Sequence, residues 1–527
     1  MKRFYPLLVS LITGILLWAS WVPSSFTLLI FVAWVPLLWV ESVTKSKRRF
    51  FGYTYIAMFT WNILTTWWIW NASAPGAIAA FLANSLIMCL PWLGFKIAKN
   101  KLGDKIGYCS LVVFWLCFEY IHLHDWGLSW PWLTLGNVFA EKITWIQWYE
   151  YTGASGGSLW VMLVNLVLYF HLRQNPGIRR SYKFVILAVI LFGIPLAISR
   201  LIKPVNSFGS SEVVIVQPNI DPYEKVATGT FEAQLQQLIN LSEKAIDGNT
   251  KLVVWPETAL YVGNGIEENK MKENFFLKPF WGFLQRHPQI TLFTGVESYR
   301  VYSTPETKTA KPAGEGFYYD AFNGSVLVDS TGPIGFYHKS MLVPGVETLP
   351  WFLRFIDNWF EKFGGTTAGY AKQQERTVLQ DKRHALAIAP AICYESIYGE
   401  FMTRYIRNGA NMICIVTNDG WWGNTPGYKQ HLAYARLRAI ETRKWVARSA
   451  NTGVSCFISP VGITIDPQPY NTAAAIKGFV LPNDSKTFYV KYGDLVSKLM
   501  VIASIGLVAW ILSIWLIAKI KSRKKPA

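Results

Sequence analysis

The stretch Ala385-Leu-Ala-Ile-Ala-Pro-Ala-Ile-Cys393-Tyr-Glu-Ser-Ile-Tyr-Gly399 changes character at its cysteine. The residues before Cys393 are small or apolar, which predicts a buried strand, whereas apolar residues from 395 to 407 recur at helical spacing. A thiol at such a strand-to-helix turn lies at a helix N-terminus, where backbone N–H groups favour thiolate over thiol. A single cysteine at a strand end is more often a packing residue, so Cys393 alone does not decide between chemistry and packing.

Two other apolar runs end in a charged side chain. Lys251-Leu-Val-Val-Trp-Pro-Glu257 ends in a carboxylate, and Gly335-Phe-Tyr-His-Lys339 ends in an ammonium. Taken without Cys393, Glu257 and Lys339 are equally well explained as an ordinary buried ion pair. Their order along the chain with Cys393 is what favours a catalytic interpretation.

This ordered set resembles the Glu-Lys-Cys triad of the nitrilase, or carbon–nitrogen hydrolase, superfamily. The surrounding motifs match as well: Trp255-Pro-Glu257, His338-Lys339, Val343-Pro-Gly-Val-Glu347, Ile392-Cys-Tyr-Glu395 and Asn418-Asp-Gly-Trp-Trp-Gly423. An apolar N-terminal half fused to such a domain narrows the resemblance to the apolipoprotein N-acyltransferase family. The likeness covers nearly the whole chain.

Composition independently indicates a membrane protein. Of the 527 residues, 51% are hydrophobic and only 16% are charged. Runs of about the length that crosses a bilayer predict eight spans, at residues 5–21, 26–40, 51–70, 76–95, 106–121, 158–172, 184–202 and 499–517. An even number of spans places both termini on the same side.

The net charge of +18 is distributed as in a membrane protein rather than a nucleic-acid-binding one. Basic clusters fall at residues 2–3, 45–49, 96–105, 173–183 and 519–525, all on one predicted side, which the positive-inside rule makes cytoplasmic. The predicted domains are therefore a membrane domain at 1–202, an extramembrane domain at 203–496 outside the cytoplasm, and a last span with a basic tail at 497–527. Nucleic acid is excluded as a partner, because no single basic face is formed.

Residues 203–496 predict an α/β domain. Strands are expected near 212–217, 252–255, 289–295, 325–328, 385–392, 412–417 and 455–458, and helices at 231–245 and 429–448. Residues 303–316, rich in Thr, Pro, Lys and Gly, predict an exposed loop. The pattern does not distinguish a doubly wound sheet from a four-layer αββα sandwich, and the sandwich is what the nitrilase resemblance implies.

The resemblance implies a role for each motif residue. Cys393 would be the nucleophile, Glu257 the base that takes its proton, and Lys339 the positive group beside the oxyanion. Glu347 matches the second glutamate of the superfamily, expected to hold Lys339 or assist proton transfer. Tyr394 and Glu395 match the residues that follow the nucleophile in the acyltransferases, although Glu395 is equally consistent with a first-turn helix carboxylate.

The implied reaction is a ping-pong acyl transfer from a phospholipid, through a Cys393 thioester, to the N-terminal diacylglyceryl-cysteine of an apolipoprotein. The implied location is the bacterial inner (cytoplasmic) membrane, with the catalytic domain on the periplasmic side. Membrane lipids surround the chain, a monomer is expected, and no cofactor or metal is expected.

Two other function classes are consistent with parts of the sequence. A membrane-anchored nitrilase-type amidase would pass the thioester to water, but eight spans exceed what anchoring requires. A transporter usually carries ionisable residues within its spans, and here only Glu119 and Arg200 qualify. We expect Glu119 to make a structural bond.

The stretch Asp419-Gly-Trp-Trp-Gly-Asn-Thr-Pro-Gly427 has two interpretations. Its glycines and the apolar faces of Trp421 and Trp422 suggest a mobile lid that contacts acyl chains near Cys393. The alternative is a rigid turn in which both tryptophans pack in the core.

Overall fold

The computed structural model describes residues 4–174, 182–202, 209–223, 230–263, 265–314, 316–348 and 369–523. It divides into two compact units, each continuous in space but not in sequence. The first comprises Met1–Trp67, Ala77–Ile202 and Asp494–Ala527, and the second comprises Trp68–Gly76 and Lys203–Gly493. The basic clusters at residues 2–3, 173–183 and 519–525 lie partly or wholly outside the described residues.

The first unit is built from helices. In chain order, the helices before residue 203 are α1 (Phe4–Ala19), α2 (Val35–Val43), α3 (Lys47–Thr66), α4 (Ile69–Ala72), α5 (Ala74–Leu102), α6 (Asp104–His122), α7 (Tyr149–Thr152), α8 (Ala154–Gln174) and α9 (Tyr182–Leu201). A long C-terminal helix, Leu495–Arg523, completes the first unit, whereas α4 belongs to the second.

Four helices in the described part of the chain are long and apolar enough to cross a membrane. They are Ala74–Leu102, Ala154–Arg173, Tyr182–Leu201 and Leu495–Lys521. Two shorter apolar helical stretches, Phe4–Ala19 and Thr27–Val43, fall below that length. The two remaining predicted spans, 51–70 and 106–121, fall largely on α3 and α6, which have 20 and 19 residues but are not among these four helices.

Aromatic rings and a few buried charges fill the interior of the first unit. Trp34 lies 5.1 Å from Trp92 and 4.8 Å from Trp115 between ring centroids. Glu119 is buried near the end of α6, where its Oε1 accepts hydrogen bonds from Trp115 Nε1 at 2.9 Å and from Leu135 N at 2.8 Å. These bonds satisfy one carboxylate oxygen within the unit, as a structural role requires.

Two sheets form the centre of the second unit. Their strands are β1 (Ser211–Gln217), β2 (Thr250–Val254), β3 (Ile266–Glu267), β4 (Thr291–Tyr302), β5 (Lys311–Gly314), β6 (Phe317–Asp329), β7 (Gly332–His338), β8 (Leu379–Asp381), β9 (Leu386–Ile392), β10 (Met412–Thr417), β11 (Val446–Ala450), β12 (Cys456–Ile458), β13 (Thr464–Ile465) and β14 (Ala474–Val480). One sheet has the order β14-β1-β2-β4-β6-β5, with β3 paired to β4 and β7 paired to β6. The other has the order β13-β12-β11-β10-β9-β8.

The sheets and helices of this unit form four layers. Helices α10 (Phe231–Ala245) and α11 (Lys278–Arg286) share an apolar core with β1, β2, β4 and β6. The sheets contact each other through β1 with β11 and β6 with β9. Helices α12 (Gly399–Arg407) and α13 (Pro426–Thr442) contact the second sheet at β9 and β12, and a short α14 (Phe488–Tyr492) packs on both helices. Every residue of β9 and β10 is buried, as expected for parallel strands covered on both faces.

The expected helix at 231–245 and strand at 412–417 are confirmed. Three expectations need correction. The predicted helix at 429–448 ends at Thr442, because Arg443 adopts a left-handed φ of 55° and the chain continues as β11. The predicted helix at 395–407 is interrupted: a short 3₁₀ turn, Cys393–Ile397, precedes α12. The predicted loop at 303–316 contains the edge strand β5.

Candidate active site

Three buried charged or nucleophilic side chains lie at strand ends in the second unit. Lys339 follows β7 directly, Cys393 follows β9 directly, and Glu257 lies shortly after β2. All three residues are buried. The apolar runs seen in the sequence therefore form strands, and the residue that ends each run lies in the protein interior.

A glycine on the neighbouring strand makes the position of Glu257 possible. A Cβ atom added to Gly295 of β4 would lie 2.5 Å from the backbone nitrogen of Thr258 and 2.6 Å from the Cα of Glu257. Such distances leave no space for a side chain, so glycine is required where the two backbones approach. Thr258 itself has a φ of 49°, which turns the chain directly after the carboxylate.

Lys339 is at the centre of a cluster of carboxylates. Its Nζ donates to Glu347 Oε1 at 2.8 Å and to Glu257 Oε1 at 3.3 Å. Asn323 on β6 donates from its Nδ2 to the same two oxygens, each at 2.9 Å. The second oxygen of Glu347 accepts the backbone N–H of Val343 at 2.8 Å. One ammonium and one amide thus hold both carboxylates in a fixed geometry.

The charges of this cluster act on Cys393. Burial alone would lower the pKa of Lys339, but Glu347, Glu257 and Cys393 together raise it well above its ordinary value. Burial raises the pKa of the Cys393 thiol, Glu257 raises it further, and Lys339 opposes both effects. Lys339 is therefore an ammonium at neutral pH, and resting Cys393 is a thiol.

The protonation state of Cys393 corrects an expectation from the sequence. A helix N-terminus was expected to favour the thiolate. Cys393 instead begins a 3₁₀ turn of five residues, too short for a substantial helix dipole, and burial has the larger effect on its pKa. Any reaction that used this sulfur as a nucleophile would therefore need a base to take its proton.

The turn at Cys393 is held by several hydrogen bonds. Cys393 has a φ of 49°, a left-handed conformation that a non-glycine residue keeps only when its surroundings enforce it. Ser396 Oγ donates to the Cys393 carbonyl oxygen at 2.7 Å. Glu395 Oε2 accepts the backbone N–H of Ile392 at 2.9 Å.

Glu395 also reaches the segment that carries Lys339. Its Oε1 accepts from Ser340 N at 2.7 Å, Met341 N at 3.2 Å and Tyr337 Oη at 2.7 Å. Burial raises the pKa of Glu395, and these hydrogen bonds oppose that shift. The carboxylate therefore joins two segments of the site rather than simply complementing a helix dipole. Its neighbour Tyr394 is buried, with its ring 5.2 Å from that of Tyr398.

The two tryptophans after β10 have different surroundings. Residues Asp419–Trp422 form a 3₁₀ turn. Trp421 is 41% exposed, and its ring lies 5.3 Å from that of Tyr223. Trp422 lies 4.7 Å from the buried ring of Trp68. The rigid-turn interpretation therefore describes the packing of Trp422, and the lid interpretation of Trp421 stays a prediction.

Several residues around the site were not anticipated from the sequence. Asn323 is one, since an amide in a long strand gives no signal of its contacts. A second group lies behind Cys393: His431 Nδ1 is 2.8 Å from Asp419 Oδ1, and Arg448 Nη2 donates to Asp419 Oδ2 at 2.7 Å. His431 Nε2 lies 3.1 Å from the Cys393 carbonyl oxygen. Only the pairing of distant strands and helices brings these residues together.

Comparison with known proteins agrees with this geometry. The family described as "Carbon-nitrogen hydrolase" matches residues 212–476, about half of the chain, and defines the class of the second unit. The family described as "Apolipoprotein N-acyltransferase N-terminal domain" matches residues 13–167. The chain belongs to the apolipoprotein N-acyltransferase family of the nitrilase superfamily, which confirms the resemblance noted in the sequence.

Relatives named "Apolipoprotein N-acyltransferase" align over most of the chain. The protein of Chlorobaculum tepidum is 29% identical over 508 residues, which cover 94% of this chain and 93% of the relative. That of Rickettsia bellii is 30% identical over 463 residues, covering 85% and 82% respectively. That of Thermotoga maritima is 25% identical over 498 residues, covering 90% and 88%. The similarity thus extends across both units.

Proposed function

We propose that this protein N-acylates the N-terminal diacylglyceryl-cysteine of apolipoproteins with an acyl chain from a phospholipid. Membership of the apolipoprotein N-acyltransferase family supports the reaction class. The observation that carries the proposal is the buried Cys393 thiol under the electrostatic influence of Glu257 and Lys339. A nucleophile, a base and a cation are the groups that acyl transfer through a thioester requires.

In the first half of the reaction, Glu257 takes the thiol proton and the Cys393 sulfur attacks the ester carbonyl of the phospholipid. The carbonyl π electrons move to oxygen, and the Lys339 ammonium stabilises the resulting oxyanion. Collapse of this intermediate breaks the ester C–O bond. The leaving alkoxide takes the proton from Glu257 and departs as lysophospholipid, while the acyl group remains as a Cys393 thioester.

In the second half, the α-amine of the diacylglyceryl-cysteine attacks the thioester carbonyl. Glu257 accepts a proton from the attacking nitrogen, the C–S bond breaks, and Glu257 returns that proton to the departing sulfur. The product is an amide, and the enzyme returns to its resting state. Sulfur suits this exchange, because a thioester remains reactive enough to acylate an amine.

The supporting residues keep these groups in place. Glu347 and Asn323 hold Lys339 and Glu257, and Glu395 joins the segments that carry Lys339 and Cys393. Tyr394 packs beside the nucleophile turn. Trp421 presents an exposed aromatic surface to which an acyl chain can bind, whereas Trp422 supports it from a packed position.

The first unit would keep the enzyme among its lipid substrates. We propose eight membrane crossings, with both termini in the cytoplasm and the catalytic domain on the outer side of the bacterial inner membrane. The four long apolar helices and the placement of basic residues support this topology. We further propose that the protein acts as a monomer without a cofactor.

The intact mass of the purified protein tests the proposal. Incubation with a phospholipid of one defined acyl chain should add that acyl group, and peptide mapping should locate it on Cys393. The Cys393→Ala variant should fold, judged by its melting temperature, and show neither adduct nor turnover. Acylated or active Cys393→Ala protein would refute the assignment of the nucleophile.

Adding a synthetic diacylglyceryl-cysteine peptide to the acylated enzyme tests the acceptor. The acyl group should move to the peptide α-amine faster than it is lost to water. Loss to water at the same rate with and without peptide would instead indicate the amidase. The peptide with a blocked α-amine is the matched control.

A further inference from the structure

His431 lies directly behind the nucleophile, on α13, and is fully buried. Its Nε2 is 3.1 Å from the Cys393 carbonyl oxygen and 2.9 Å from Ser396 Oγ. Its Nδ1 is 2.8 Å from Asp419 Oδ1 and 3.1 Å from Arg448 Nη2. The imidazole therefore connects the backbone of Cys393 to a buried ion pair.

The partners of Nε2 determine which atom carries the proton. A carbonyl oxygen only accepts hydrogen bonds, so Nε2 must donate to Cys393. The hydroxyl of Ser396 already donates to that same carbonyl at 2.7 Å, so its oxygen lone pairs are available to Nε2 as acceptors. Both neighbours of Nε2 thus favour an Nε2–H group.

The other ring nitrogen lies against a buried ion pair. Asp419 Oδ1 is 2.8 Å from Nδ1, and Arg448 Nη2 is 3.1 Å from the same nitrogen. Burial opposes ionisation of Asp419, but Arg448 and His431 lower its pKa to about 2, so Asp419 is a carboxylate. Asp419 Oδ1 accepts a further bond from Thr417 Oγ1 at 3.0 Å, which keeps the carboxylate oriented toward the ring.

The geometry points to His431 as a buried histidine whose Nε2–H donates to the Cys393 carbonyl oxygen, and we infer that it is a positioning residue for the nucleophile. The inference rests on the proposed role of Cys393. Asp419 would hold the ring in place, and Arg448, bonded to Val454 O at 2.6 Å, would hold Asp419.

The conformation of Cys393 explains why such a residue is needed. With a φ of 49°, the nucleophile occupies a region that persists only where neighbouring groups over-determine it. Ser396 and His431 both bind its carbonyl oxygen, and Glu395 binds the preceding N–H. Losing the bond from His431 would let the sulfur move relative to Glu257 and Lys339.

Nuclear magnetic resonance of the full-length protein in lipid tests whether Nε2 of His431 carries a proton, without reference to activity. The chain has seven histidines, so selective ¹⁵N labelling of histidine gives few signals, and the spectrum of His431→Gln assigns His431 by difference. Nε2 of wild-type His431 should have the ¹⁵N shift of a protonated ring nitrogen at pH 7. An unprotonated Nε2 would overturn the inference, even if His431 variants were unstable.

Kinetics tests the positioning role. Single-turnover formation of the Cys393 thioester should fall roughly 10- to 100-fold in His431→Leu, which removes a buried hydrogen-bond donor. His431→Gln retains a side-chain donor and should recover part of that loss. KM for phospholipid should change little in either variant, since His431 would act on the nucleophile rather than on substrate. Equal thioester rates in wild type and in a folded His431→Leu variant would overturn the role.

A second histidine–aspartate pair supplies the matched control. His384 Nδ1 lies 2.6 Å from Asp381 Oδ2, and Asp381 pairs with Leu386 at the end of β9 opposite to Cys393. His384→Gln should leave the rate of thioester formation unchanged. If His384→Gln lowered that rate as much as His431→Gln, the effect of His431 would not be specific to its contact with Cys393, and the positioning role would be contradicted. If wild-type protein formed no thioester, the proposed function would fail. Alkylation of Cys393 by iodoacetamide would then replace thioester formation as the kinetic measurement.

Discussion

Glu395 Oε1 accepts the backbone N–H of Ser340 at 2.7 Å. Ser340 follows Lys339, and Glu395 lies in the turn that begins at Cys393, so this bond joins the segments that carry Lys339 and Cys393. The other oxygen of the same carboxylate binds the N–H of Ile392. A displacement of either segment must therefore break a buried bond to a carboxylate, which restrains Lys339 and Cys393 relative to each other.

Replacing Glu257 with glutamine should separate thiol acidity from catalysis. Glu257 raises the pKa of Cys393, so Glu257→Gln should lower it, and alkylation by iodoacetamide should reach its midpoint at a lower pH. Acyl transfer should fall by about 10²- to 10⁴-fold, because the general base is lost. Glu243→Gln, a change at a surface ion pair, is the control and should alter neither measurement. An alkylation midpoint that moved to higher pH would contradict this account.

Replacing Lys339 with methionine should have the opposite effect on thiol acidity. Lys339 lowers the pKa of Cys393, so its loss should raise the alkylation midpoint. Thioester formation should fall by about 10²- to 10³-fold, the effect of losing one oxyanion donor. Lys339→Arg should recover only part of the lost rate of thioester formation, since a planar guanidinium places its donors differently from an ammonium. The variant must be assayed below its melting temperature, because Glu257 and Glu347 lose the ammonium group that they bind. A normal rate of thioester formation in Lys339→Met would show that Lys339 has only a structural role.

The tryptophan pair should respond unequally to substitution. Trp421→Ala should slow acylation by long-chain phospholipid yet leave alkylation of Cys393 by a small water-soluble reagent nearly unchanged, because Trp421 is 41% exposed. Trp422→Ala should lower the melting temperature, since Trp422 packs on Trp68. If Trp421→Ala slowed both reactions equally and also lowered the melting temperature, Trp421 would be a packing residue rather than part of a lid.

Membrane topology can be measured by labelling single introduced cysteines with a membrane-impermeant reagent. Sites in the 45–49 segment and at residue 527, which lies outside the described residues, should be protected in intact cells. A site in the 303–316 segment should be labelled. Labelling of residue 527 and the 303–316 segment from the same side would mean that eight is the wrong number of crossings.

The sequence predicted those features that depend on local pattern. The apolar run before Cys393 predicts the strand that the structure shows as β9. The predicted helix at 231–245 has the same first and last residues in the structure. The order of the motifs was enough to identify the family. Such features follow from periodicity and from short runs of residue types, which need no knowledge of distant partners.

Features that depend on partners far along the chain were not predictable. The bond from Asn323 to Glu257 spans 66 positions, and the contact of His431 with Cys393 spans 38. The pKa of Cys393 was misjudged for the same reason, since burial by surrounding layers outweighs the short turn that the local sequence suggests. The end of α13 at Arg443 was missed because a left-handed residue in an otherwise helical pattern has no distinctive signature.

The second unit draws part of its interior from Trp68–Gly76, far upstream of its main segment. Trp68 is buried against Trp422, and Asn71 Nδ2 donates to the Trp422 carbonyl oxygen at 2.9 Å. In genetic terms, the boundary near residue 203 is therefore not a clean place to exchange one half of this protein for that of a homologue. A chimera joined there would combine a Trp422 from one parent with a residue 68 from the other, so the two positions must be inherited together.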